Sequence, residues 1–161
     1  MDGYRILLEA VKQYLDEHFE GEERSWVRET IRFEARKERS LSELLDQLGE
    51  SFPEALERMM KERGMKNSEV YTRANLTRQH FWKILKNDGY QPKKEAVLAL
   101  AIALKLNLDE TRDFLGRAGY ALSPASKTDV IVQYFIETEN YDIFQVEKVL
   151  FTLTGRTLAS Y

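Results

Sequence analysis

The sequence predicts an all-α protein, and three observations support that class. Only three prolines occur in 161 residues, so few positions interrupt a helix. Apolar residues recur mostly at spacings of three and four, the period of a helix with one buried face. No pair of segments alternates convincingly, as two neighbouring strands would. Helices are predicted near residues 3–19, 26–37, 41–48, 53–63, 67–74, 78–87, 93–106, 109–118, 124–138 and 142–153.

The first two predicted helices differ in how clearly the pattern defines them. Residues 2–19 place apolar side chains on one stripe opposite charged ones, which predicts an amphipathic helix that needs a surface to cover. That stripe contains Tyr4, Leu7, Leu8, Val11, Leu15 and Phe19. In residues 26–37, Val27, Ile31 and Phe33 alternate as in a strand, whereas the Arg and Glu spacing favours a charged helix. We favour the helix.

Capping signals define several of the later helices. In a capping box, a side-chain oxygen accepts a free N–H of the first turn and an acidic residue reaches back. Ser123 before Pro124 predicts another helix start, because proline is tolerated in a first turn. Gly119 predicts the end of the preceding helix. The predicted boxes pair Ser40 with Glu43, Ser51 with Glu54, and Asn107 with Glu110.

Charge is strongly segregated along the chain. The net charge is −3, yet residues 58–94 hold 10 basic and 3 acidic residues, a net charge of +7. Residues 1–57 carry −7 and residues 95–161 carry −3. A basic middle between acidic flanks favours a local surface for a polyanion. The alternative is a lysine-rich helical face that only contacts solvent.

Two short helices within the basic segment predict a helix-turn-helix. The first spans residues 67–74, the second spans residues 78–87, and Asn75 tolerates the left-handed backbone of the turn between them. Thr77 is predicted to cap the second helix. Its outward side chains are able to contact base edges or phosphates, and they are Arg78, Gln79, His80, Trp82, Lys83 and Lys86.

Over residues 52–115 the chain resembles the lambda-repressor-like, or XRE and Cro type, DNA-binding domain. The stretch ERGMKNSEVYTRANLTRQHFWKIL follows the family pattern without a gap, and QPKKEAVLALAIALKLNLDETRDFL continues it. Gly64 follows the first helix, Pro92 opens the fourth, and Thr77–Arg78 opens the recognition helix. The matching core positions are Val70, Ala74, Phe81, Ile84, Ala99 and Ala103. Asn75 replaces the usual turn glycine, and Lys66 replaces the usual Ser or Thr cap.

The resemblance implies a mode of DNA binding. Arg78, Gln79 and His80 would reach the major groove, where Arg pairs well with guanine and Gln with adenine. Asn67 corresponds to a position that contacts phosphate in the family. His80 is either a base contact or a polar surface residue. Trp82 lies against sugar-phosphate, anchors a protein partner, or folds back onto Tyr90. Nonspecific affinity would come from Lys83, Lys86, Lys93 and Lys94.

The chain is therefore divided into three parts. Residues 1–50 form an acidic helical extension, residues 51–117 the helix-turn-helix domain, and residues 118–161 a C-terminal helical pair. Apolar residues of the pair either extend the core or form a two-fold interface, so a homodimer is one expectation. The acidic extension either contacts a protein partner or folds over the basic face and competes with DNA.

The expected function is that of a sequence-specific transcriptional regulator that binds double-stranded DNA. The alternative is a protein-interaction adaptor that keeps the helix-turn-helix fold without DNA binding. An enzyme is not expected, because the chain has no cysteine and shows no nucleophile–base pair or phosphate loop. Two histidines alone do not build a zinc site, and no cofactor is expected. No apolar run approaches the roughly 18 residues of a membrane span, so the cytoplasm is the expected compartment.

Overall fold

The computed structural model describes residues 2–20, 41–42, 49–87 and 89–159. These ranges contain helices and no strand, so the all-α prediction is confirmed for them. No helix in them has both the length and the apolar character needed to cross a bilayer. The predicted helix at 26–37, most of the one at 41–48, and the Ser40–Glu43 box lie outside the described residues. The helices with defined bounds are α1 (Asp2–His18), α2 (Phe52–Arg63), α3 (Asn67–Arg73), α4 (Arg78–Lys86), α5 (Lys94–Ala103), α6 (Leu108–Arg117), α7 (Lys127–Glu137) and α8 (Ile143–Thr154).

Helix α5 forms the centre of the core. Its residues from Ala96 to Ala103 are all buried, as expected for a helix that is apolar on every face. It packs against α3, α6 and α8, so it connects the basic part of the chain with the C-terminal helices. The remaining helices pack on these neighbours or on one another, with α4 on α2 and α3, and α1 on α7.

Two predicted capping boxes are confirmed. The Glu54 N–H donates to Ser51 Oγ at 3.3 Å, and the Ser51 N–H donates to the Glu54 carboxylate at 3.2 Å. Asn107 and Glu110 form the second box at the start of α6. Helix α2 ends at Gly64, whose φ of 63° is in the left-handed region. These local signals fix where α2 and α6 begin.

The turn between α3 and α4 has the predicted geometry. Asn75 has a φ of 57°, in the left-handed region that asparagine tolerates. Lys66 stands at the N-cap of α3 without a side-chain hydrogen bond. Val70 and Ala74 on one side of the turn, and Phe81 and Ile84 on the other, are buried in the same core.

The start predicted for α7 is wrong by three residues. The helix begins at Lys127, and Ser126 is its N-cap and accepts the Asp129 N–H at 3.2 Å. The Asp129 carboxylate accepts the Ser123 N–H at 2.8 Å and binds the Lys94 ammonium. These bonds hold residues 123–126 in a turn, so Pro124 does not enter the helix.

The C-terminal pair, α7 and α8, packs on itself and on the core. Most of its apolar side chains are buried, and they include Val130, Ile131, Phe135, Ile143, Val146, Val149 and Leu150. Phe144 and Phe151 on α8 differ, because they are 69% and 63% exposed. Helix α1 packs on α7 and is hydrogen-bonded to both α7 and α8.

Candidate nucleic-acid interface

Helix α4 is held firmly from one side. Thr77 caps it, since its Oγ1 accepts the His80 N–H at 3.1 Å, as predicted. Phe81, Ile84 and Leu85 are buried beneath the helix and fix its rotation about its own axis. Arg78, Gln79, Lys83 and Lys86 therefore point away from the core.

The outward face of α4 carries most of the predicted site residues. Arg78, Gln79, Lys83 and Lys86 are exposed, as is Thr77. His80 and Trp82 are half-buried, and Trp82 packs against the edge of the core. Beyond α4, Lys93 is exposed, whereas Asn67 at the first position of α3 is half-buried.

Some cations of this face form ion pairs with carboxylates of the chain, and others do not. Lys86 forms an ion pair of 3.2 Å with Glu57, in which both side chains are mostly exposed. Such exposed pairs contribute little, so Lys86 exchanges its partner at low cost. Across the described part of the chain, no carboxylate forms an ion pair with Arg78, Lys83 or Lys93.

Tyr90 is a residue of this surface that the sequence patterns did not assign to it. Its hydroxyl lies 3.3 Å from His80 Nε2, and its ring lies 4.8 Å from Lys83 Nζ. The rings of Tyr90 and His80 also lie in an edge-to-face arrangement. Trp82 instead has the Lys86 ammonium 5.7 Å from its ring. In the sequence, the only sign of the contact with His80 is that an aromatic residue, Tyr90, stands in the link before Pro92.

His80 is shifted towards its neutral form. Burial is the main reason that its pKa lies below the ordinary value, and the charges of Lys83 and Lys93 lower it further. A neutral imidazole keeps one nitrogen as donor and one as acceptor. At neutral pH, His80 is therefore a polar contact rather than a further positive charge.

The environment of Lys94 differs from that of the other predicted site residues. Its ammonium binds the carboxylate of Asp129, which is almost fully buried on α7, and its side chain is only 26% exposed. This ion pair joins the start of α5 to the C-terminal pair. We therefore leave Lys94 out of the candidate interface, although its position in the sequence suggested phosphate binding.

The ranges that the structure describes show no candidate metal centre. They contain no group of three or more His, Asp or Glu side chains placed to hold a metal ion. Comparisons with protein-family models, with curated proteins and with solved structures find no match to this chain. The candidate interface is the outward face of α4, with Lys93 and Tyr90 beside it.

Proposed function

We propose that the protein is a sequence-specific transcriptional regulator that places α4 in the major groove of double-stranded DNA. One observation carries this proposal. Arg78 and Gln79 are exposed, without an ion pair, at the start of a helix whose opposite face is buried. A rigid helix with bidentate donors at its N-terminal end is the arrangement by which helix-turn-helix proteins contact bases.

The residues divide into two roles. Arg78 and Gln79 contact base edges, since their paired hydrogen-bonding groups match guanine and adenine. His80 and Trp82 lie at the border of this group and support it against the core. Phosphate contacts come from Asn67, Lys83, Lys86 and Lys93, and these fix the position of the helix without reading sequence.

The alternative, a protein-interaction adaptor, has one observation in its favour. Phe144 and Phe151 are exposed and lie seven residues apart on α8, which is about two helical turns and therefore one face. Such a face suits a partner protein or, in a regulator, a second copy of the chain. Binding to DNA separates the two functions, because the adaptor does not require it.

The experiment that tests the proposal is a titration of the full chain against random and genomic duplexes at two salt concentrations. The parent protein is expected to bind with a steep salt dependence and to enrich particular sequences. Arg78→Ala is expected to reduce discrimination at one base position by about 1–3 kcal/mol. Lys93→Ala is expected to weaken binding to every duplex alike.

Lys105→Ala provides the matched control. Lys105 is an exposed lysine just beyond the opposite end of α5 from Lys93, roughly 18 Å away for a helical rise of 1.5 Å per residue. This variant is expected to bind like the parent. Equal effects of Arg78→Ala and Lys93→Ala on all duplexes would remove the base-reading role. No binding even at low salt would favour the adaptor.

A further inference from the structure

A cleft beside the candidate interface joins the helix-turn-helix segment to the C-terminal segment. It has a volume of about 430 Å³ and lies between the start of α5 and the residues that follow α8. Lys93 and Arg156 line it together, although they are far apart in the sequence. Glu95, Thr157 and the exposed Phe151 also line it, so the cleft contains two cations, one carboxylate and an aromatic ring.

The backbone that carries Arg156 is well anchored. Gly155 ends α8 with a φ of 74°, and the Arg156 N–H donates to Thr154 Oγ1 at 3.1 Å. Two residues later, Leu158 is buried, and its N–H donates to the Glu147 carboxylate at 2.7 Å. The Ala159 N–H donates to the same carboxylate at 3.0 Å. Arg156 is therefore presented from a fixed position.

The guanidinium of Arg156 is available for a ligand. The residue is exposed, and no carboxylate of the described residues forms an ion pair with it, Glu95 included. Arginine binds phosphate well because its planar donors match two phosphate oxygens at once. Lys93 adds a second positive charge to the same cleft. This chemistry favours an oxyanion, and specifically a phosphodiester or phosphate group.

Lys93 connects the cleft with the surroundings of α4. Tyr90 contacts both His80 and Lys83, and only two residues separate it from Lys93. Three residues of extended chain span at most about 10 Å, so Lys93 lies within that distance of the Tyr90 backbone. Lys93 is also near enough to His80 for its charge to lower the pKa of the imidazole. Lys93 thus lies near both His80 and the cleft that contains Arg156.

We propose that Arg156 and Lys93 together bind a backbone phosphate of the DNA whose major groove receives α4. This inference rests on the proposed function and extends it, because it assigns part of the DNA contact to the segment after α8. Arg156 lies outside the helix-turn-helix segment, and only the packing of the C-terminal pair on α5 brings it there. Glu95 weakens the contact, since its charge repels phosphate.

The test compares Arg156→Gln with the parent on random and preferred duplexes over a range of salt concentrations. One lost phosphate contact is expected to reduce the slope of log K against log salt by about 0.9, which corresponds to roughly tenfold weaker binding near 0.1 M salt. The loss is expected on both duplexes, so that sequence preference stays unchanged. Glu95→Gln is expected to tighten binding to both.

Controls separate this inference from the proposed function. Lys105→Gln removes an exposed cation from the far end of α5 and is expected to leave the slope unchanged. Arg156→Lys keeps the charge and is expected to retain most of the affinity, which also guards against a loss of folding. Thermal unfolding of each variant checks that the fold is intact.

Several results would overturn the inference. If Arg156→Gln and Glu95→Gln behave like Lys105→Gln while Arg78→Ala relaxes specificity, the phosphate contact is absent and the role of α4 stands. If Arg156→Gln affects only one sequence, the residue contacts a base. If inorganic phosphate binds to the parent but not to Arg156→Gln, and leaves DNA binding unchanged at equal ionic strength, the cleft binds free phosphate and not the DNA backbone. No DNA binding by the parent would overturn both proposals.

Discussion

Helices α1 and α4 are both amphipathic, yet their polar side chains are used differently. On α1, the Tyr14 hydroxyl donates to Glu137 at 2.7 Å, and the Tyr4 hydroxyl lies 2.8 Å from Thr152 Oγ1. These bonds join α1 to α7 and α8. On α4, Arg78 and Gln79 make no side-chain hydrogen bond to another described residue. Polar groups that the fold satisfies stabilise it, whereas those held in place without a partner are available to bind.

The same difference separates two consecutive residues, Lys93 and Lys94. Lys94 binds the buried carboxylate of Asp129 and connects α5 with α7. Lys93 is exposed and lines the cleft beside Arg156. We therefore assign Lys93 to the binding groups and Lys94 to the structural groups. Each of the following predictions tests this division between structural and binding groups.

The largest effect is expected from Asp129→Ala. It leaves the half-buried Lys94 ammonium without its partner and removes the acceptor of the Ser123 N–H. Breaking a buried ion pair from one side costs about 3–5 kcal/mol. Urea denaturation is expected to show a loss of that size in the free energy of unfolding, with little change in the slope.

Two controls make the Asp129 prediction specific. Replacing both partners, as Lys94→Met with Asp129→Leu, is expected to recover most of the loss, because an apolar pair of similar volume needs no charge compensation. Lys93→Ala is expected to change stability by less than about 0.5 kcal/mol, as for an isolated surface residue. If Asp129→Ala costs no more than Lys93→Ala, the division between the two lysines is wrong.

A smaller effect is expected from Thr77→Ala. The substitution removes the oxygen that accepts the His80 N–H at the start of α4, and loss of such a cap costs about 1 kcal/mol. Thr77→Ser keeps the hydroxyl and is expected to behave like the parent in thermal unfolding. Because Arg78 and Gln79 occupy the first turn, Thr77→Ala is also expected to weaken DNA binding. If stability stays unchanged, the cap does not order this end of the helix.

Features of this fold were predictable where they depend on neighbouring residues. The capping boxes at Ser51 and Asn107 and the turn at Asn75 each involve a few consecutive positions, so their patterns were sufficient. The start of α7 had two competing local signals, Ser123 before Pro124 and Ser126 three residues before Asp129. The second prevails, and Lys94, far away in the sequence, helps Asp129 to hold the preceding turn. Lys105 has a φ of 55° after α5, and no glycine or asparagine marks that position.

The candidate site also has some features that the sequence predicts and others that it does not. The outward position of Arg78 and Gln79 follows from helical periodicity once Phe81 and Ile84 are assigned to the core. The different roles of Lys93 and Lys94 do not follow, because both are lysines at the start of one helix. Arg156 was not predictable as a member of the site, since only the packing of α8 on α5 brings it to the cleft with Lys93.

The smallest effect is expected from the protonation of His80. This residue is both a structural and a binding group, because it contacts Tyr90 and also borders the exposed face. Its pKa in the folded chain is lowered by burial and by the charges of Lys83 and Lys93. The unfolded chain therefore binds this proton more readily. The neutral imidazole makes its full contribution to the free energy of unfolding above the unfolded pKa of about 6.5. This contribution is lost as the pH falls towards the folded pKa.

DNA binding is expected to have the opposite pH dependence. In the proposed complex, a phosphate close to Lys83 and Lys93 would compensate their charges and raise the pKa of His80, so that the complex would take up a proton. Affinity is expected to increase modestly as the pH falls from 7.5 to 5.5, because the proton that the complex takes up becomes more available. Fluorescence anisotropy of a labelled duplex at constant ionic strength measures this change. His80→Gln is expected to flatten the profile, and an equally steep profile in that variant would place His80 away from the bound phosphates.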